Sequence, residues 1–136
     1  MLGLALQNLG WVANLEETFL QAQQFLQEAL AIFQTTNNPY LETYVIKNLG
    51  DAALGLQQFE TAEQYYTQAL ELANTMHIKE ITCSAWIGMA KMYNAQGLLA
   101  ASQTITSKAY NLAIEIENID FQNQCLALMQ QEEAQH

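Results

Sequence analysis

Apolar residues recur along the chain with a helical period of three to four, most clearly in the middle stretch from Leu49 to Leu70. Within this stretch, small residues such as Gly50 and Ala62 alternate with large apolar ones. The period is interrupted once, near Gly55 to Gln58, where the glycine is typical of a turn. The pattern therefore predicts two helices joined by a tight turn, which is a helical hairpin.

The same pattern recurs at intervals of forty residues. Small side chains stand at equivalent places in three units: Gly10, Gly50 and Ala90; Ala22, Ala62 and Ser102; Ala29, Ala69 and Ala109. Large apolar side chains keep the same spacing: Leu6, Ile46 and Trp86; Leu9, Leu49 and Met89; Phe19, Phe59 and Leu99. Antiparallel helices approach closely only where a small residue faces the partner helix. We therefore expect Gly50 to contact Ala62 in the second hairpin.

Start and stop signals divide the chain into three hairpins and a last helix. Asn38 precedes Pro39, as expected for an N-cap residue followed by a proline in the first helical turn. Asn118 is predicted to cap the last helix, and Thr18 with Gln21 matches a capping box at the start of the second helix. We predict one domain, residues 1–136, with repeat 1 at about 1–38, repeat 2 at about 39–77, repeat 3 at about 78–117 and a capping helix at about 118–134.

The third unit carries a spacing found in a known repeat family. Trp86, Met89, Ala90 and Tyr93, followed by Gly97, resemble the first helix of a tetratricopeptide repeat, and the second helix is matched by Ala62, Tyr66 and Ala69. The resemblance covers nearly the whole chain, and its period is similar to a longer subtype found in bacterial regulatory arrays and some eukaryotic adaptors. It implies an all-α, right-handed superhelix of three hairpins plus a C-terminal capping helix, seven helices in all.

Two features depart from the family pattern. The usual tyrosine is kept at Tyr93 but replaced by Ala13 and Ala53 in the other units. Ser102 and Thr106 stand where the family usually has an alanine and an aromatic residue. We expect these changes to weaken the packing of the third hairpin without changing the fold.

Composition and charge narrow the classes of function. The chain has 136 residues, of which 51% are hydrophobic, and one proline, which suits a helical domain. Its net charge is −10, from 14 acidic side chains and four lysines, with no arginine. Such a charge argues against binding to nucleic acid and to anionic membranes. The apolar opening from Met1 to Leu15 lacks the basic start and the small-residue cleavage site of a secretion signal, so we expect none. No run of apolar residues is long enough to span a membrane. We predict a cytoplasmic protein.

No motif indicates catalysis. Cys83 and Cys125 form no C-x-x-C pair and are predicted to be buried thiols. Gly50 and Gly55 have the glycine spacing of a phosphate loop, but no lysine follows and both lie in or at the end of a helix. His77 lies in a linker without a partner at helical spacing. We therefore predict no enzymatic activity, no catalytic residue, no cofactor and no metal.

The candidate site is the concave face of the superhelix. In an array of hairpins the first helix of each repeat lines this face. The predicted partner-binding residues are those that point away from the core on the first helices: Gln7, Trp11, Asn14, Tyr44, Lys47, Asn48, Asp51, Ser84, Ile87, Lys91 and Asn94.

The two lysines of this set lie on adjacent first helices and are predicted to reach one acidic group of a ligand. The alternative is that Lys47 only pairs with Asp51 one turn later, while Lys91 is solvated. Lys47 also matches the lysine of the clamp with which some family members hold a terminal carboxylate. Because Trp11, Asp51 and Lys91 stand where the clamp asparagine is expected, we do not predict that specificity.

The amino-terminal helix is unusually apolar for the first element of an array. Its residues include Met1, Leu2, Leu4, Trp11 and Val12, more apolar surface than one hairpin can bury. We expect either that the chain is a piece of a longer array or that a second copy covers this helix in a homodimer. For Trp11, a place in the groove and a place in that cover both remain open.

The function predicted from these features is a non-catalytic protein-interaction module that binds a peptide or a helix of a partner protein in its concave groove. The alternative is a structural fragment of a longer regulatory or sensory array, or a self-associating scaffold, without a ligand of its own.

Overall fold

The computed structural model describes residues 1–135, which form seven α-helices and no strand. The helices are α1 (Leu2–Leu15), α2 (Phe19–Thr35), α3 (Pro39–Gly55), α4 (Phe59–Met76), α5 (Lys79–Ala95), α6 (Leu99–Glu115) and α7 (Ile119–Ala134). The predicted all-α fold class of three hairpins and a last helix is confirmed.

Two of the predicted N-caps are formed, and the predicted capping box is wrong. The side-chain oxygen of Asn38 accepts from the backbone N–H of Leu41 at 3.2 Å, and that of Asn118 accepts from the N–H of Phe121 at 2.9 Å. Thr18 makes no such cap, because its hydroxyl donates instead to the carbonyl of Ala13 at 3.1 Å, at the end of the preceding helix. Thr18 does occupy the N-cap position of α2, where its backbone carbonyl accepts from the N–H of Ala22 at 3.0 Å, but its hydroxyl closes α1.

Each connection between helices is short and uses one residue in the left-handed region. These residues recur every twenty positions: Glu17, Asn37, Gln57, His77, Gly97 and Glu117, with φ between 54° and 74°. Only one of the six is a glycine, so the turns are made mostly by residues that pay a steric cost there. The regular turn gives every hairpin the same geometry.

The order of contacts defines an inner and an outer layer. Helices that follow one another in the chain pack together, and α1, α3, α5 and α7 also contact one another in succession. The other three helices, α2, α4 and α6, do not contact one another. We call α1, α3, α5 and α7 the inner helices, because only the inner side of a curved array brings alternate helices together.

The inner glycines receive large side chains from the outer helices, not alanines. A Cβ at Gly50 would lie 2.7 Å from Cε1 of Tyr66, and a Cβ at Gly10 would lie 2.5 Å from Cγ of Leu26. The nearest neighbour of Gly50 is therefore Tyr66 and not the expected Ala62: the glycine makes room for the tyrosine ring, which is fully buried. Ala62 is buried as well, in the same core cluster as Tyr66.

In the third hairpin this large side chain is missing, and α7 fills the space. Thr106 occupies the place of Leu26 and Tyr66. The carboxylate of Glu132, from α7, is buried beside it and accepts hydrogen bonds from Ser102 at 2.5 Å and Thr106 at 2.8 Å. The last helix is thus fixed to the third hairpin by a buried polar contact as well as by the apolar side chains of Cys125 and Leu128.

Candidate functional site

A continuous groove runs along the inner helices. It consists of two adjoining cavities, one of about 370 Å³ and one of about 630 Å³. Four side chains line both cavities, one from each inner helix: Trp11, Lys47, Ser84 and Phe121. Because these shared walls join the two cavities, we describe them together as the groove.

Ten of the eleven residues predicted for the site line the groove: Gln7, Trp11, Asn14, Tyr44, Lys47, Asn48, Asp51, Ser84, Ile87 and Lys91. Asn94 lies outside this lining. Its side-chain amide donates to Gln131 at 3.1 Å and its carbonyl oxygen accepts from Gln135 at 2.6 Å, so it holds α7 in place.

The site prediction did not include the residues that α7 contributes. Phe121 and Gln124 line the groove, together with Asn118 and Asp120 before and at the start of that helix. The forty-residue register contained the signal, since Phe121 is equivalent to Ile81 and Gln124 to Ser84. Treating the last helix as an inner helix as well as a cap would have placed both residues in the groove.

Lys47 and Asp51 form an ion pair that is part of a small network. Nζ of Lys47 lies 2.7 Å from Oδ2 of Asp51, and the hydroxyl of Tyr66 donates to Oδ1 of the same carboxylate at 2.5 Å. Burial, followed by the charge of Asp51 and this hydrogen bond, raises the pKa of Tyr66 well above its usual value. Asp51 is therefore held by two partners, and Lys47 is already paired.

Lys91 is the remaining positive charge of the groove. It is exposed on α5. Lys79 pairs with Glu115 at 2.8 Å, and Nζ of Lys108 lies 5.9 Å from the ring centre of Trp86. Among the residues that the structure describes, Lys91 is thus the only lysine with neither an ion pair nor a ring contact. A ligand carboxylate could approach it without displacing a protein group.

Aromatic side chains form the apolar part of the groove. Trp11 is 52% exposed, and Tyr44 and Phe121 are half-buried. Tyr44 packs edge-on against Tyr40, with ring centres 5.3 Å apart, and its hydroxyl donates to Glu80 at 3.4 Å. Burial, together with these two neighbours, raises the pKa of Tyr44. The ring is therefore neutral and fixed, while Trp11 presents its surface to the groove.

Two amide oxygens in the wall of the groove lack a hydrogen-bond donor. Oε1 of Gln7 and Oδ1 of Asn14 are both covered and unpaired. The amide nitrogen of Asn14 donates to the backbone carbonyl of Asn48 at 3.1 Å, which fixes that side chain between α1 and α3. Covered acceptors without donors cost free energy, so an N–H group brought by a ligand would be favourable here.

The two cysteines are part of the packing between α5, α6 and α7. Both are free and fully buried, and the thiol of Cys83 donates to the carbonyl of Ala109 at 3.3 Å. Burial raises the pKa of Cys83 to about 12 and that of Cys125 to about 11, so both remain protonated thiols at neutral pH. Across residues 1–135 there is no cluster of three His, Cys, Asp or Glu side chains placed to hold a metal ion.

None of the seven helices described combines the length and the apolar character needed to cross a bilayer.

Comparison with known families agrees with the geometry. A family model described as tetratricopeptide repeat matches residues 2–75, which is more than half of the chain. No curated protein matches the chain. The match covers α1 to most of α4. The third hairpin continues the same helix order, and its turns follow at the same interval of twenty residues. The chain therefore belongs to the tetratricopeptide repeat family.

Proposed function

We propose that the groove binds a segment of a partner protein and that the chain acts as a non-catalytic interaction module. Tetratricopeptide repeats generally mediate protein–protein interactions and are typically non-catalytic. The observation that carries the proposal is the groove itself, to which all four inner helices contribute side chains. Four neighbouring helices at about 10 Å spacing span about 30 Å, enough for about nine residues of extended peptide.

The lining suggests the chemistry of this segment. Trp11 and Phe121 offer apolar surface for an aliphatic or aromatic side chain, which aromatic anchors bind at small entropic cost. Lys91 offers an unpaired charge for one carboxylate. Because Glu17 and Asp120 line the same cavity, a uniformly acidic segment would be repelled. We propose a segment with one acidic residue next to an apolar one and otherwise uncharged or basic residues.

The test uses peptides selected on the purified protein. Peptides of about ten residues, the length that the groove accommodates, are displayed on phage, selected for binding and then measured by isothermal titration calorimetry. We expect the Lys91→Ala variant to bind them roughly two- to fivefold more weakly, as for one exposed ion pair. Lys79→Ala is the matched control, because this lysine lies on the same helix but is paired with Glu115.

The selected sequences and the two variants decide the outcome. An unchanged affinity in Lys91→Ala, or equal losses in both lysine variants, would remove Lys91 from the proposed site. Selection of uniformly acidic peptides would contradict the role given to Glu17 and Asp120.

The two buried free thiols favour a reducing compartment, and on that ground we propose a cytoplasmic location.

The second candidate function, a scaffold in a larger array or a self-association module, is favoured by one observation. The outward side of α1 is apolar and uncovered.

A further inference from the structure

The outward side of α1 carries a cluster of exposed apolar side chains. We call Met1, Leu2, Ala5, Leu9 and Val12 the α1 outer face. The exposed fractions of its large members are 92% for Met1, 66% for Leu2, 49% for Leu9 and 40% for Val12. Trp11 is not part of this face, since it lines the groove on another side of the helix. A face of this kind on one short helix indicates an interaction surface.

The equivalent faces of the later inner helices are covered by helices of the preceding hairpin. On α3, the residues forty positions after Ala5, Leu9 and Val12 are Val45, Leu49 and Ala52, and each is fully buried. On α5 the corresponding residues are Ala85, Met89 and Met92, which are at most 8% exposed. The repeated geometry therefore makes the α1 outer face suitable for packing against another helix.

The distribution of charge favours a second copy of the chain as the occupant. Within residues 1–135, α1 is the only helix without an Asp, Glu, Lys or His side chain, although the net charge of the chain is −10. Two copies of such an acidic protein repel each other at most surfaces. A symmetric contact places identical patches face to face, so it avoids like-charge repulsion best where the patch carries no charged side chain.

We propose that two copies of this chain associate through their α1 outer faces, with one α1 packed against the other about a two-fold axis. A helix of 14 residues is about 21 Å long, so the contact is small. Interfaces of this size belong to the weak class, and the dimer forms only at high protein concentration. The groove stays open in the dimer, because its lining lies on another side of α1.

The test measures molar mass by sedimentation equilibrium over a range of protein and salt concentrations. At low protein concentration we expect the 15.3 kDa monomer, and at high concentration a species of twice that mass. Added NaCl is expected to strengthen the dimer, because it screens the repulsion between two acidic copies and leaves an apolar contact intact. A mass that stays at the monomer value throughout would overturn the proposal, as would a dimer that salt dissociates.

Single substitutions locate the contact. Val12→Glu is expected to weaken the dimer at least about tenfold, since it places like charges in an apolar contact. Ile114→Glu is the control, because Ile114 has a similar exposed fraction, 47%, but lies on α6. Circular dichroism of both variants checks that helicity is retained. An effect of Ile114→Glu equal to that of Val12→Glu would place the contact elsewhere.

Val12→Lys distinguishes the symmetric contact from a head-to-tail one. In the symmetric contact this variant is weakened on its own, and mixing it with Val12→Glu restores association between the two. If α1 instead packed on an acidic surface elsewhere on the second copy, Val12→Lys alone would associate more strongly than the wild type. That result would overturn the α1-to-α1 contact.

Discussion

At the scale of single residues, one buried tyrosine closes the second hairpin. The ring of Tyr66 is fully buried against two glycines, Gly50 on α3 and Gly88 on α5. It therefore joins the second hairpin to the third as well as closing its own. The same side chain holds Asp51, which orients Lys47 at the floor of the groove. Packing and site geometry thus depend on one residue.

Adding a methyl group at Gly50 tests this packing. Gly50→Ala should destabilise the protein by up to about 2 kcal/mol, because the overpacking against the ring costs about 1–3 kcal/mol and the gain in helix propensity is about 1 kcal/mol. The measurement is urea unfolding followed by circular dichroism. In a Tyr66→Thr background, which has the residue type of the third hairpin, the same change should be neutral or stabilising. An equal loss in both backgrounds would contradict the contact.

The buried titratable groups predict a loss of stability at alkaline pH. The pKa of Cys83 is about 12 and that of Cys125 about 11, both raised from 9.0 by burial, and the pKa of Tyr66 is raised above 10.0. In the unfolded chain these groups release their protons first, so the unfolded state binds fewer protons and stability falls as pH rises. The contribution of these groups to the free energy of unfolding should be constant below about pH 9 and should decrease between about pH 9 and 12.

Urea unfolding at intervals from pH 7 to pH 11 measures this decrease. Cys83→Ala should show a shallower slope between about pH 9 and 11, because one raised pKa is removed. A slope equal to that of the wild type would contradict the role of the buried thiol.

At the scale of elements, α7 combines two functions. It covers the apolar end of the third hairpin through Cys125 and Leu128, and it contributes Phe121 to the groove. Its position along α6 is fixed by Glu132, which reaches the space left by Thr106. The last helix is thus part of the site and not only a cover for the core.

Removing this carboxylate should loosen α7. Glu132→Ala removes the carboxylate that Ser102 and Thr106 share and opens a cavity. The two hydroxyls can still donate to the backbone carbonyls of Ala90 at 3.1 Å and Ser102 at 2.7 Å. The cost is therefore that of the lost hydrogen bonds to a charged group and of the cavity, about 2 kcal/mol. Hydrogen exchange, measured by mass spectrometry, should be faster in α7 of this variant than in α7 of the wild type, and unchanged in α3. Glu133→Ala, one residue along and exposed, is the control and should have little effect. Equal protection of α7 in both variants would show that Glu132 does not hold the helix.

The number, order and limits of the helices could largely be predicted from the sequence, because local signals determine them. Asn38 with Pro39 and Asn118 marked two helix starts, and the structure forms both caps. Thr18 was placed correctly before α2, but the partner of its hydroxyl was wrong, because this group can reach either helix across a short turn and the sequence alone does not rank the two. The role of Glu132 was also missed, since the space that it fills depends on a side chain absent from another helix.

At the scale of the whole molecule, repetition of one hairpin turns local packing into a long binding surface. Successive inner helices contact each other while the outer helices do not, and this asymmetry curves the array around the groove. Ten of the predicted residues line the groove because the register of a repeat carries each side chain to the same side. That register does not show whether a side chain is paired with a neighbour or free in the folded protein. Whether Lys47 or Lys91 is paired, and whether Asn94 is free, depends on neighbours in three dimensions.

The central claim, that a partner segment occupies the groove, is tested most directly by the two tryptophans. Trp11 lines the groove, whereas Trp86 packs against α6 and beneath Lys108. The measurement is the indole N–H signal of each residue in a two-dimensional ¹H–¹⁵N NMR spectrum during titration with a selected peptide. We predict that the Trp11 signal shifts in proportion to binding and that the Trp86 signal stays in place. A shift of Trp86 with an unchanged Trp11 signal would contradict the account.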